Sequence, residues 1–287
     1  MSRMQRSYSP TIRRRRISAQ LRKFRKQKGL SAAAVGEKLG WPQQKISKIE
    51  SGEQKRIPAA ELDALLEVYG VTDPQIRESL HECARLAKER GWWTRYKDAF
   101  PSGLPDFESE ASVIRSYECQ VIPGILQTPD YADAIFRAYK LREDKEIDRL
   151  VKARMERQNI LNRVDPPHFM TIIDEAALHR LVGSVEVMRT QLRHLTHMAS
   201  RHNIDIYVLP FKAGAHAATT GSFMIMDFPD PMDNSIVYVD TPTSILYIED
   251  EEEVREFNVM FSRTQSAALS PTLSMDLVKK VIKSLEE

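Results

Sequence analysis

The feature that most limits the fold is the spacing of glycine and proline through residues 17–88. Between these breaks, apolar residues recur at intervals of three and four, the period of a helix with one buried face. Glycine ends helices in the left-handed conformation, and proline fits a helix's first turn. The pattern therefore predicts five short helices: from Ile17 to Gly29, from Ser31 to Gly40, from Gln43 to Glu50, from Pro58 to Gly70 and from Asp73 to about Lys88.

The second and third predicted helices have the spacing of a helix-turn-helix. The turn between them contains Gly40, and in such motifs the second helix enters the major groove of DNA. Gln43 and Gln44 stand at the start of that helix, where a glutamine amide can bond adenine N6 and N7 together. Ile46 and Ile49 are spaced to face the core. The pattern predicts a helix whose polar side reads base edges.

Charge is divided unevenly along the chain. Residues 1–72 contain 16 Lys and Arg against 6 Asp and Glu, whereas the remainder contains 26 against 34. This division favours two modules, the first facing a polyanion; the alternative is a solvated charge run. Residues 1–16 have no hydrophobic periodicity and are interpreted as a flexible basic arm. Its arginines can reach the DNA backbone or a minor groove, and they are Arg13, Arg14, Arg15 and Arg16.

Residues 21–71 resemble the DNA-binding domain of phage repressors and of the large regulator family named after the xenobiotic-response element. The resemblance rests on the GL-S…V…KLG segment, the QQ-x-IS-x-IE-x-G helix, the KR-x-P loop and the YGV ending. It implies that the base-reading residues are Gln43, Gln44, Lys45, Ser47 and Lys48. It also implies phosphate contacts around the turn and the loop, from Ser31, Lys55 and Arg56.

The same resemblance implies a structural pair between Arg25 and Glu50. The sequence departs from the family at Ala32, where a glutamine or similar polar residue usually contacts phosphate. One phosphate contact is therefore missing, and we expect the affinity for DNA to depend more on the basic arm. The alternative for the whole motif is a helical protein-binding module that no longer binds DNA.

Beyond residue 90 the pattern changes to a mixture of helical and strand-like segments. Helices are predicted at 108–119, 128–141, 143–163, 184–201, 250–266 and 271–285, and strands at 168–174, 203–210, 222–228, 235–240 and 244–249. This order predicts an α+β domain with a mostly antiparallel sheet, following an all-α helix-turn-helix domain. The predicted division is a basic arm (1–16), a helix-turn-helix domain (17–90), an aromatic connector (91–107) and an α+β regulatory domain (108–287).

Motifs in the second part resemble the C-terminal domain of actinobacterial antitoxin-like regulators, which carry the same kind of helix-turn-helix. Among them are YECQVIPGILQTPDYADAI, IDEAALHRLVG and IYVLPFKAGAHA. The resemblance implies a regulatory domain and, in many members, a small protein partner encoded nearby. It supplies no biochemical mechanism.

Two apolar groups are candidate surfaces for a partner or ligand. The connector aromatics can line a pocket, as aromatic residues often do, or can pack the connector onto the second domain. The strip around the Pro-Gly turn can receive a partner protein or can be local structure alone. The candidate residues are Trp92, Trp93, Tyr96, Ile122, Ile125 and Leu126.

The sequence shows no pattern for catalysis or metal binding. It has no nucleophile elbow, phosphate-binding glycine loop or metal triad, and the Asp174-Glu175 pair is explained as a helix cap. Two cysteines fit a reducing compartment. No apolar run approaches the roughly 18 residues of a membrane span. We expect a cytoplasmic, nucleoid-associated protein that needs no cofactor and is not an enzyme.

These observations lead to one hypothesis and one competitor. The first is a sequence-specific transcriptional regulator that binds a double-stranded operator as a homodimer, because one reading helix covers only a few base pairs. Its C-terminal domain would respond to a small protein partner or to a ligand. The competitor is an antitoxin-like adaptor that sequesters a small partner protein and binds DNA only for autoregulation.

Overall fold

The computed structural model describes residues 10–54, 56–86, 92–96, 98–100, 103–138, 143–229, 233–241 and 243–286. The chain forms two compact units, Met1–Thr94 and Arg95–Glu287. No helix in these described ranges is long and apolar enough to cross a membrane.

The described residues of the first unit form helices joined by short turns and contain no strand. Its helices are α1 (Pro10–Gln27), α2 (Ala32–Leu39), α3 (Gln43–Glu50), α4 (Ala59–Tyr69) and α5 (Pro74–Leu86). The helix-turn-helix expected from the sequence is thus formed by α2 and α3. The core lies among all five helices and contains Ile17, Leu21, Val35, Ile46, Ile49, Leu62, Leu65, Leu66, Tyr69, Val71 and Leu80.

The predicted boundary of the basic arm is wrong, because α1 begins at Pro10 and includes residues 10–16. Arginine is a good helix former and proline suits a first turn, so the helix extends beyond its apolar face. Arg13, Arg14, Arg15 and Arg16 therefore belong to a helix and not to a flexible arm. Residues 1–9, the rest of the predicted arm, lie outside the described residues.

Gly36 sets the distance between α2 and the turn that leads to α3. A Cβ at this position would lie 2.5 Å from the Trp41 carbonyl oxygen and 3.4 Å from the Gln43 nitrogen. The Trp41 N–H also donates a hydrogen bond to the Gly36 carbonyl at 2.8 Å. Because no side chain intervenes, the start of α3 lies directly against α2.

The second unit combines helices with one sheet. The helices are α6 (Leu104–Glu108), α7 (Pro129–Ala138), α8 (Asp144–Arg157), α9 (Glu175–His179), α10 (Val185–Met198), α11 (Glu251–Ala267) and α12 (Pro271–Ser284). The strands are β1 (Val113–Glu118), β2 (His168–Asp174), β3 (Ile204–Leu209), β4 (Phe223–Asp227), β5 (Ile236–Asp240) and β6 (Ile245–Ile248). In the described residues, the strand order is β3-β2-β1-β4-β5-β6.

The sheet is mixed and mostly antiparallel, which confirms the predicted α+β class. The strands β1, β2 and β3 are parallel neighbours, whereas β1–β4, β4–β5 and β5–β6 are antiparallel. The central strand is β1, whose Val113 is in register with His168 of β2 and Asp227 of β4. The core on one face includes Tyr117, Ile172, Leu209, Phe223, Ile225, Val237, Val254 and Phe261.

The helix predicted over residues 108–119 is wrong, since most of that segment is the central strand β1. Its polar residues are satisfied inside the sheet. The Arg115 guanidinium donates to the Asp227 carboxylate at 2.8 Å, and the Ser116 hydroxyl donates to Thr171 Oγ1 at 2.9 Å. These partners lie more than 50 residues away in sequence. Without them in view, polar residues among apolar ones in this segment look like the exposed side of a helix.

We predict that Gly36→Ala destabilises the first unit. The new Cβ would meet a backbone oxygen at 2.5 Å, and such overpacking costs about 1–3 kcal/mol. Amide hydrogen exchange in peptides covering residues 32–50 should therefore accelerate. Ala33→Ser, at an exposed position of the same helix, is the control and should change exchange little. Unchanged exchange in Gly36→Ala would contradict this role of the glycine.

Candidate functional site

One side of α3 presents polar side chains to solvent. The exposed residues are Gln43, Gln44, Ser47 and Lys48. Positions i, i+1, i+4 and i+5 share one side of a helix, so these side chains form a single surface. The opposite side is anchored by Ile46 and Ile49, which are 0% and 1% exposed. We call these four exposed residues the reading face.

Lys45 differs from the other residues predicted to read bases. Its Nζ lies 2.8 Å from Glu61 Oε1 of α4 and 3.9 Å from the centre of the Trp41 ring. The side chains of Lys45 and Glu61 are 30% and 24% exposed. The structure therefore holds the Lys45 amine against α4, beside the reading face and not on it.

The predicted phosphate contacts lie in three places. Arg15 and Arg16 are partly buried on α1. Ser31 caps α2, where its Oγ accepts a hydrogen bond from the Ala34 N–H at 3.1 Å, and the hydroxyl retains its own hydrogen for donation. Arg56 is exposed in the loop after α3, whereas Lys55 lies outside the described residues.

A buried charge network fixes the last residue of α3. Arg25 Nε lies 2.9 Å from both carboxylate oxygens of Glu50, and the same guanidinium donates to the Leu30 carbonyl at 2.7 Å. The Tyr69 hydroxyl donates to Glu50 Oε1 at 2.8 Å. Burial and the Glu50 carboxylate raise the pKa of Tyr69, which keeps the phenol a neutral donor. The network joins α1, α3 and α4.

A second tie links α1 to the end of α3, since the buried Ser18 hydroxyl donates to the Ile49 carbonyl at 2.6 Å. Sequence reasoning missed Ser18, Glu61 and Tyr69. In the sequence, Glu61 is explained as an acid in a helix's first turn and Tyr69 as part of an apolar period. Because each has an ordinary local explanation, only the tertiary structure shows its contact with α3.

Comparison with known families agrees with this geometry. Residues 16–79 match the family described as helix-turn-helix domain. This match supports the class of helix-turn-helix DNA-binding regulators. Residues 102–280 match the family described as domain of unknown function (DUF5753), and the chain belongs to that family. No curated protein and no solved structure matched the chain.

The connector aromatics are partly buried and not enclosed. The rings of Trp92 and Trp93 meet edge to face, with centroids 5.9 Å apart. Tyr96 lies beside α8, where the Arg149 guanidinium is 5.9 Å from its ring and a hydrogen bond with Glu156 raises its pKa. Tyr96 therefore packs within the second unit, as one of the two interpretations of the connector expected.

The predicted surface strip around the Pro-Gly turn is wrong as a surface, because Ile122, Ile125 and Leu126 are 0%, 1% and 0% exposed. The backbone here is held by side chains from two helices. The Ile122 N–H donates to the Tyr131 hydroxyl at 3.2 Å, and Gln191 Nε2 donates to the Leu126 carbonyl at 2.8 Å. A turn tied in this way directs its apolar side chains into the core.

A charged layer lies next to this turn. Burial raises the pKa of Glu118 at the end of β1 to about 7, against the opposing effects of Ser222, Arg157 and Arg154. Arg157 itself donates to both carboxylate oxygens of Glu108, at 2.7 and 2.6 Å. These contacts are internal to the second unit. In the described part of the chain, no group of three or more His, Cys, Asp or Glu could hold a metal ion.

We predict that Arg25→Met lowers the stability of the first unit by about 3–5 kcal/mol, because it leaves the Glu50 carboxylate buried without its cation. Arg25→Met/Glu50→Met should recover much of this loss, since two apolar side chains replace the ion pair. Hydrogen exchange in α1 and α3 measures both effects. A double variant as unstable as Arg25→Met would contradict this account.

We also predict that Glu118→Gln changes how stability depends on pH. The folded-state pKa of about 7 lies above the ordinary 4.5, so the folded state binds this proton more tightly and loses stability as pH rises between these values. The variant should match the unsubstituted protein near pH 4 and exceed it by on the order of 2 kcal/mol at pH 8. Urea unfolding at both pH values measures this difference.

The control for this prediction is Glu256→Gln, which makes the same chemical change at an exposed position of α11. It should leave the pH dependence of unfolding unaltered. An identical pH profile for Glu118→Gln and Glu256→Gln would contradict the effect ascribed to burial.

Proposed function

We propose that this protein is a sequence-specific transcriptional regulator that reads a duplex operator with α3. The observation that carries the proposal is the reading face, whose four polar side chains project from a helix locked by its opposite side into the core. A side chain that reads bases must be exposed and held in a defined position. The reading face meets both conditions.

Each part of the interface has a distinct role in this proposal. Gln43 and Gln44 bond base edges, and Ser47 and Lys48 extend the readout along α3. Backbone phosphates are contacted by Arg56, Lys55 and Ser31 and by the arginines of α1, Arg13–Arg16. Lys45 is set apart because Glu61 holds its amine.

We propose further that the protein binds as a homodimer. A single α3 contacts only a few base pairs, whereas two copies can occupy half-sites one helical turn apart, about 34 Å. The contact between copies is assigned to the second unit or to α5. The operator should accordingly be a palindrome.

The role proposed for the second unit is regulatory and not catalytic, with a small protein partner as its expected signal and a ligand as the alternative. Support for it comes from the resemblance of this unit to the C-terminal domain of regulators that carry the same kind of helix-turn-helix; the charged layer of Glu118, Arg157 and Glu108 is internal to the unit. The partner-binding surface must lie elsewhere than the buried turn at Ile122–Leu126.

The experiment that tests the proposal is selection of genomic DNA by the purified protein. Fragments retained in about 150 mM salt are sequenced, because at this ionic strength non-specific binding is weakened. A shared palindrome supports the dimeric regulator. Retention without any shared motif would contradict sequence-specific readout.

We predict opposite behaviour for two substitutions in the interface. Gln44→Ala should cost about 1–3 kcal/mol on the selected operator and little on random DNA, because it removes a base contact. Arg56→Ala should weaken both duplexes and lower the salt slope by about one unit, because it removes a phosphate contact. Fluorescence anisotropy across a salt series measures both. Equal weakening of the two duplexes by Gln44→Ala would remove its reading role.

A further inference from the structure

We propose that Glu61 suppresses binding to random DNA by holding the Lys45 ammonium group against α4. This inference rests on the proposed function, since it concerns the same interface. It concerns Lys45, which the sequence predicts to read bases but whose amine lies beside the reading face and not on it. Glu61 itself need not contact DNA and acts through Lys45, so it is a positioning residue.

Lys45 lies among residues that face solvent, but its charged group is held by another helix. It stands in α3 between Gln44 and Ser47, both exposed members of the reading face. A lysine at such a place is well suited to pair with any nearby phosphate. Its Nζ is instead 2.8 Å from Glu61 Oε1, on a different helix.

The Lys45 amine has two partners in the protein. Besides the carboxylate, the Trp41 ring lies beneath it, with the centroid 3.9 Å from Nζ. A carboxylate and an aromatic face both attract an ammonium group. The pair is about one quarter to one third exposed, so a phosphate that approaches Lys45 competes with both partners.

Glu61 also contacts the loop that follows α3. Its second oxygen, Oε2, accepts a hydrogen bond from Gln54 Nε2 at 3.3 Å, and this nitrogen also donates to the Arg56 carbonyl at 2.9 Å. The Gln54 N–H donates to the Lys48 carbonyl at 3.1 Å. Glu61 thus fixes Lys45 together with the loop that carries Arg56, and Lys45 is not available as a mobile charge.

Holding the Lys45 charge away from DNA affects how tightly the protein binds random sequences. Charge-to-phosphate contacts are made with any sequence, so each additional one raises affinity for random DNA. Withholding one lysine lowers that background and leaves the contacts of Gln43 and Gln44 with bases unaffected. A phosphate contact strengthens binding to operator and random DNA alike, so withholding it lowers the absolute affinity for random sites and leaves the ratio of the two affinities to the base contacts.

The test measures binding to a random duplex of about 20 base pairs across a salt series, using the full chain. Glu61→Gln should raise affinity about three- to tenfold and steepen the salt slope by about one, because it frees one phosphate-binding charge. Glu67→Gln is the matched control, with the same change of charge at an exposed position of the same helix. It should raise affinity less and leave the slope unchanged.

The Lys45→Gln variant tests the same ion pair by removing the charge of the lysine instead of that of Glu61. If Glu61 withholds Lys45, this variant binds random DNA with the slope of the unsubstituted protein, and Glu61→Gln/Lys45→Gln gains no slope over Lys45→Gln. A fall of about one in the slope of Lys45→Gln would show that Lys45 already contacts phosphate, and would overturn the inference. So would equal gains in Glu61→Gln and Glu67→Gln.

These outcomes separate the inference from the proposed function. DNA binding with a shared motif but without the Glu61-specific gain overturns the inference alone. Complete absence of DNA binding by the unsubstituted protein overturns both. Circular dichroism of each variant shows whether it is folded, and Lys45→Gln decides the question if Glu61→Gln is not.

Discussion

The buried contact between Arg25 and Glu50 is the interaction on which the first unit depends. Glu50 is the last residue of α3, and its carboxylate is held by α1 through Arg25 and by α4 through Tyr69. At the other end of α3, the close approach of Gly36 to Trp41 fixes the turn. An eight-residue helix has little stability alone. Its position is therefore a product of contacts at both of its ends.

Much of this arrangement could be predicted from the sequence. The five helices follow from the positions of glycine and proline and from the spacing of the apolar residues. The reading face follows from the polar residues on the side of α3 opposite Ile46 and Ile49, which face the core. The placement of Lys45 could not be predicted, because its position in α3 is that of a reader and its partner Glu61 belongs to another helix. The pairing of Lys45 with Glu61 joins two helices and has no local signal, whereas the Arg25–Glu50 pair is implied by the family resemblance.

The second unit shows the same limit more strongly. The other five strands, β2 to β6, have apolar patterns that predict them to within a residue or two. The central strand β1 does not, because Arg115 and Ser116 are matched by Asp227 and Thr171 on its neighbours. The Ile122–Leu126 turn looks like a surface strip for a similar reason, since the groups that tie it down, Tyr131 and Gln191, come from separate helices.

The topology of the sheet also has a consequence for how the chain is made. The central strand β1 pairs with β2 and with β4, so Val113 has no antiparallel partner until Asp227 has been synthesised. The core of the first unit, by contrast, is formed by residues of α1 to α5, between Ile17 and Leu80. Domains generally fold in order from the N-terminus during synthesis, and long-range strand pairing is slow. The first unit would thus be folded while the sheet of the second unit still lacked its antiparallel half.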